Sequence, residues 1–157
     1  MKYLSFLFLI FFAFPLSAAD CTDFSGLWRG TCNLPNGQTD VVRWQIEQQD
    51  CSSMWVNGNK FVYGKQSVRQ TGNARWNVRA YERFDWQDDV MDYLAYDVRM
   101  VGRDNSGLRS LQAAGRGSME IEGDYLYFAS LIDYRSRGPE GVQYWTEDTR
   151  CSLLSID

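Results

Sequence analysis

Apolar residues recur at every second position along most of the chain from Phe24 onward. The segment TDVVRWQIEQQ is representative, because Val42, Trp44 and Ile46 fall on one side of an extended chain and Arg43 falls on the other. A period of two is typical of β-strands that bury one face. Helical periodicity is nearly absent, so the pattern predicts an all-β domain.

Turn signals interrupt this alternation at short intervals. Pro35 and Gly37 follow a first strand predicted over residues 24–33, and Asn57-Gly58 is typical of a tight hairpin. Residues 60–69 are predicted to form one strand. About eight to ten antiparallel strands are expected in total.

A long hairpin with aromatic inner faces is predicted after residue 75. Arginines occupy the outer face of its first strand. The inward positions are Trp76, Val78, Ala80 and Phe84 on the first strand, and Leu94, Tyr96, Val98 and Met100 on the second.

A meander of this length has to protect its two edge strands, and closure into an up-and-down barrel does so. An outer-membrane barrel is the competing architecture, but it needs an apolar outer band. Arg75, Arg79, Arg83 and Arg99 lie on that face instead. We therefore expect a single antiparallel up-and-down β-barrel over residues 20–157, without stable membrane insertion.

Residues 1–19 have the features of a secretory signal peptide. Lys2 supplies a positive start, residues 4–14 are almost entirely apolar, and Ser17-Ala18-Ala19 offers small residues for a signal peptidase. We expect cleavage before Asp20 and a secreted or periplasmic domain.

The four cysteines are an even set for an oxidising compartment, which predicts two structural disulfides. Cys21 and Cys32 flank one extended strand and would be roughly 36 Å apart, so they cannot pair. Two connectivities remain open: Cys21–Cys51 with Cys32–Cys151, or Cys21–Cys151 with Cys32–Cys51.

The chain contains no histidine, which removes Ser-His and Cys-His nucleophile pairs and His-ligated zinc sites. It also lacks a glycine-rich phosphate loop and a metal-ligand repeat. The net charge of -4 argues against nucleic acid as a partner. We expect a non-enzymatic protein without cofactor or metal.

One segment, ERFDWQDDVMD, concentrates acidic side chains. Its spacing does not fit a calcium-binding loop and it has no turn glycine. We interpret its carboxylates as a solvated hairpin tip: Glu82, Asp85, Asp88, Asp89 and Asp92.

The segment from Phe24 to Gly30, FSGLWRG, contains a Gly-x-Trp motif that resembles the first strand of lipocalins and other calycin barrels. The resemblance implies that Trp28 closes one end of the barrel, that Gly26 allows close chain approach, and that Arg150 covers the tryptophan. The terminal helix of lipocalins is not matched after Cys151, which favours a smaller calycin-like barrel.

Inward aromatic side chains predict a cavity for a small hydrophobic or amphipathic ligand. The alternative is that these rings fill the core and that the protein binds another protein, for example as an inhibitor of a secreted hydrolase. That role would use a rim loop with Arg135, Arg137 and Glu140. The expected cavity residues are Trp44, Phe61, Tyr63, Trp76, Tyr96 and Phe128.

Overall fold

The computed structural model describes residues 21–35, 37–72, 75–87 and 91–156. The expected signal peptide lies outside this part of the chain. Among the described residues, no helix is long and apolar enough to cross a membrane. The strands are β1 (Gly26–Asn33), β2 (Thr39–Asp50), β3 (Ser53–Val56), β4 (Asn59–Val62), β5 (Ser67–Gly72), β6 (Trp76–Trp86), β7 (Tyr93–Asp104), β8 (Ser110–Glu122), β9 (Tyr125–Gly138) and β10 (Gly141–Ser155).

These strands form one antiparallel sheet in the order β4-β3-β2-β1-β10-β9-β8-β7-β6-β5. Strands that are neighbours in the sheet are also neighbours in the chain, except that β1 pairs with β10. The two edge strands, β4 and β5, approach each other, since the Ser67 hydroxyl donates to the Lys60 carbonyl at 3.1 Å. The predicted all-β, up-and-down barrel is therefore confirmed, and it is nearly closed.

The segment expected as one strand over residues 60–69 is two strands. β4 ends at Val62, and the chain reverses at Gly64, whose φ of 71° lies in the region that favours glycine. The Lys65 amide donates to the Val62 carbonyl at 3.0 Å and closes the turn. Tyr63 consequently lies in this turn and not in a strand.

Packed side chains fill the lower end of the barrel, where Phe24 and the β2–β3 turn lie. Trp28 is only 4% exposed, and its indole N–H donates to the Phe24 carbonyl at 3.0 Å. Burial of large apolar groups in this way is the main favourable term in folding. The fully buried side chains are Phe24, Ile46, Met54, Leu94, Met119, Leu126 and Leu153.

The Gly-x-Trp segment begins β1 as the resemblance implies, but Arg150 does not cover Trp28. Arg150 alternates with Cys151, whose side chain is buried, so the arginine lies on the outer face. Its side chain is 74% exposed and pairs with Asp148 at 3.1 Å. Gly26 has a φ of 143°, a conformation that side chains disfavour.

The disulfides follow the first of the two open connectivities. Cys32 and Cys151 are direct partners across β1 and β10, with their Cα atoms 4.0 Å apart. Cys21 and Cys51 join the segment before β1 to the β2–β3 turn. Two disulfides within one small domain indicate an oxidising environment.

We expect the two disulfides to differ in their effect on stability. Cys32–Cys151 spans 119 residues and Cys21–Cys51 spans 30. Loop-closure entropy predicts that replacing the longer-range pair by alanines lowers the free energy of unfolding by about 1 kcal/mol more than replacing the other pair. Urea unfolding of the two double variants measures this difference, and the reverse order would contradict it.

Candidate functional site

A cavity of about 200 Å³ lies inside the barrel beside the β3–β4 hairpin. β3 and β4 have four residues each, and β3 pairs only with the lower part of β2, from Ile46 to Asp50. The barrel wall is therefore low above this hairpin, and the interior is reachable there. The lining residues are Trp44, Val56, Asn57, Asn59, Phe61, Arg69, Glu82, Phe84, Tyr96, Met119 and Phe128.

Five aromatic rings form a continuous arc along the cavity. Successive ring centroids are separated by 5.4 Å (Trp44 to Phe128), 5.5 Å (Phe128 to Tyr96), 4.8 Å (Tyr96 to Phe84) and 5.0 Å (Phe84 to Phe61). Three of these contacts are edge-to-face and one is tilted, which are favourable arrangements for aromatic pairs. The rings thus support one another and present apolar surface to the space between them.

The structure brings together four of the six aromatic residues expected at the site. Each belongs to a different strand and faces the interior. These four line the cavity: Trp44, Phe61, Tyr96 and Phe128.

Tyr63 and Trp76 lie elsewhere. Tyr63 packs against Trp86 with 5.0 Å between ring centroids, and its hydroxyl donates to Gln48 Oε1 at 3.0 Å. Trp76 begins β6 opposite Asp104 at the upper end of the barrel, where the β9–β10 turn also lies. Neither residue lines the cavity.

Glu82 is the main departure from the sequence-based expectation. It lies within β6, only 6% exposed, and shares the inner face with Ala80 and Phe84. Arg69 in β5 holds its carboxylate with two hydrogen bonds, from Nε to Oε2 and from Nη2 to Oε1, both 3.1 Å. Glu82 therefore does not belong to the solvated hairpin tip. Asp88 and Asp89, which were expected at that tip, lie outside the described residues.

The Tyr96 hydroxyl completes this polar group by donating to Glu82 Oε1 at 2.9 Å. Burial, together with the negative charge of Glu82, raises the pKa of Tyr96 far above its ordinary value. Tyr96 therefore remains protonated and keeps donating to the carboxylate. One wall of the largely apolar cavity is therefore an ionic group in which both carboxylate oxygens of Glu82 accept hydrogen bonds.

Polar side chains surround the mouth of the cavity. Asn57 and Asn59 are exposed, and the Arg69 side chain is half exposed. Asn57 is fixed in place because its Oδ1 accepts a hydrogen bond from the backbone amide of Gln45 at 2.9 Å. The site thus changes from apolar inside to polar at its entrance, which suits an amphipathic molecule.

The sequence pattern indicates an inward position for Glu82 but not for Arg69. Glu82 has the same parity as Ala80 and Phe84, so alternation alone places it inward. Arg69 alternates in phase with Phe61 in the single strand predicted over residues 60–69, but the break at Gly64 means that alternation in β4 does not determine the inner face of β5.

The rim residues of the alternative hypothesis are remote from this cavity. Arg135 and Arg137 lie on the outer face of β9, and Glu140 in the β9–β10 turn pairs with Arg109. The Arg135 guanidinium lies 5.9 Å from the centre of the Tyr144 ring. These groups form a separate surface.

Comparisons of the chain with protein-family models, curated proteins and solved structures gave no match. The nearly closed barrel is compatible with a lipocalin-like architecture, but this similarity concerns architecture alone. Architecture alone does not determine function, which depends on the residues of the cavity.

Removal of Arg69 should destabilise the protein more than removal of an outer-face arginine. Arg69→Gln leaves the Glu82 carboxylate buried without its cation, which costs about 1–3 kcal/mol. Arg79→Gln, on the outer face of β6, should cost less than about 0.5 kcal/mol. Thermal and urea unfolding compare the two variants, and equal stabilities would contradict a structural role for the Arg69–Glu82 pair.

Proposed function

We propose that the protein is a non-enzymatic binding protein that takes up a small hydrophobic or amphipathic molecule in the cavity. The observation that carries this proposal is the arc of five aromatic rings around a space of about 200 Å³ with a polar mouth. Pockets for small molecules typically combine apolar walls with a few placed polar groups.

Cavity size restricts the ligand to a compact molecule. An apolar protein cavity of about 150 Å³ accepts benzene, whereas pockets for drug-sized ligands measure roughly 300–1,000 Å³. A volume of about 200 Å³ suits one ring or two fused rings. A fully enclosed long acyl chain would not fit.

The bonding of the polar residues supports binding over catalysis. Both oxygens of Glu82 accept hydrogen bonds, and Tyr96 is held in its protonated form. A general base has to lie within hydrogen-bond reach of the proton that it abstracts, whereas the Glu82 carboxylate is already held by Arg69 and Tyr96. Glu82 and Tyr96 are instead held in place as part of the cavity wall.

Trp44→Ala should weaken binding of an aromatic probe. The indole ring forms one end of the arc, and loss of its contacts should raise the Kd of indole about tenfold or more. Isothermal titration calorimetry with indole measures the change. The matched control is Trp55→Ala, because Trp55 lies on the outer face of β3 beneath Lys60 and should not affect Kd.

Two results would contradict the cavity function. One is unchanged indole affinity in a folded Trp44→Ala variant. The other is an equal loss of affinity in Trp55→Ala, which would place the probe outside the barrel.

A second candidate function, protein binding, is favoured by the free edge of β10. β1 pairs only with the lower part of β10, from Arg150 to Ser155, so Gly141–Thr149 pairs with β9 alone within the described chain. Tyr144 on this stretch is 71% exposed. An exposed edge strand can receive an extended segment of another protein.

The register identifies which backbone groups this edge offers. The Ile156 amide donates toward β1, to the Leu27 carbonyl at 2.9 Å. Pairing of β10 with β9 continues without a shift from Leu154 to Gly141, so amides of the same parity face the same side. The amide of Thr146 therefore faces the free edge.

A proline at this position tests strand addition. Thr146→Pro removes an edge donor while leaving the bonds to β9, whereas Thr146→Ala keeps that donor and serves as the control. Inhibition assays against a panel of secreted hydrolases should show inhibition by the wild type and Thr146→Ala but not by Thr146→Pro. Inhibition by all three proteins would contradict strand addition, and inhibition by none would contradict the inhibitor function for that panel.

A further inference from the structure

We propose that the ligand of the cavity is a small aromatic acid whose carboxylate is held by Arg69 at the mouth while its ring lies inside the arc. This inference rests on the proposed binding function and specifies the chemistry of the ligand. Two independent observations support it: the unused donors of Arg69, and the distribution of charge along the chain.

Arg69 retains unused N–H donors after binding Glu82. The carboxylate takes hydrogens from Nε and Nη2, while Nη1 makes no hydrogen bond with any residue that the structure describes. A guanidinium carries five N–H donors, and its planar fork matches a carboxylate. Glu82 fixes the orientation of Arg69, so little side-chain entropy is lost when a second carboxylate binds.

The position of Arg69 matches the requirements of an amphipathic acid. Its side chain is half exposed and lines the cavity together with Asn57 and Asn59, whereas Phe84 is 6% exposed and Met119 is 1% exposed. The carboxylate of a ligand bound beside Arg69 therefore stays exposed to water. The attached ring can at the same time contact the aromatic arc.

The charge distribution favours an anion over a cation. Residues 51–81 contain five basic residues and no acidic residue, although the whole chain has a net charge of -4. This stretch includes β3, β4 and β5, which border the mouth. Of the two charged side chains that line the cavity, Arg69 is half exposed and Glu82 is buried, so the charge that a ligand meets at the mouth is positive. The basic residues are Lys60, Lys65, Arg69, Arg75 and Arg79.

A comparison of the affinities of an acid and its amide distinguishes the effect of ligand charge from that of ligand shape. A neutral carbonyl can accept from the same Nη1 donors, but it gains little from the basic surroundings. The probes are therefore indole-3-carboxylate, indole-3-carboxamide and indole, each titrated calorimetrically into the wild-type protein. We expect the carboxylate to bind at least about tenfold more tightly than the carboxamide. This ratio should decrease as salt is added.

A double variant tests whether Arg69 is responsible. Arg69→Gln combined with Glu82→Gln removes both charges together, so no buried carboxylate is left unpaired, and the carboxamide introduced by Glu82→Gln can still accept from the Tyr96 hydroxyl. In this variant the carboxylate probe should lose its advantage over the carboxamide. The control Arg29→Gln removes one exposed positive charge on β1 and should keep the full preference.

The outcomes distinguish this inference from the function on which it rests. Binding of indole without a preference for the carboxylate would overturn the acid assignment and leave the cavity function intact. A preference that persists in the double variant would overturn the role of Arg69. Absence of binding by all three probes would overturn the cavity function, and the inference with it.

Discussion

Pairing of β1 with β10 is the interaction on which the rest of the structure depends, because it joins the first strand of the meander to the last. Without it the strands would form two separate sheets, β1 to β4 and β5 to β10, each with an exposed inner face. The Cys32–Cys151 disulfide lies within this pairing, where the two cysteines are direct partners. Both strands contribute to the core at the lower end, β1 through Trp28 and β10 through Leu153.

The difference in strand length around the barrel produces its functional asymmetry. β9 and β10 have 14 and 15 residues, whereas β3 and β4 have four each. The long pair extends above its neighbour β1 and leaves a free edge, while the short pair leaves an opening to the interior. Both surfaces considered for binding thus arise from unequal strands in one continuous sheet.

Much of this fold could be predicted from alternation, because period-two patterns determine which side chains face the interior. Alternation places Trp44 and Tyr96 inward, where the structure has them. Glu82 obeys the same parity but was assigned by its charge, and Arg150 was assigned by resemblance although its parity places it outside. Tyr63 was misplaced because a turn without Asn-Gly or proline went unrecognised. The ionic group in the cavity could not be predicted, because it depends on pairing between β5 and β6 that no local pattern specifies.

The positions of the crosslinks divide the barrel into two mechanically different sides. Cys32–Cys151 joins β1 to β10, and Cys21–Cys51 joins the segment before β1 to the β2–β3 turn. Neither disulfide joins β4 to β5, which meet through contacts such as that between Ser67 and Lys60. Local opening begins where cohesion is weakest. Asn59 of β4 and Arg69 of β5 both line the cavity, so we expect a molecule to enter by opening of this seam while the β1–β10 pairing stays in register.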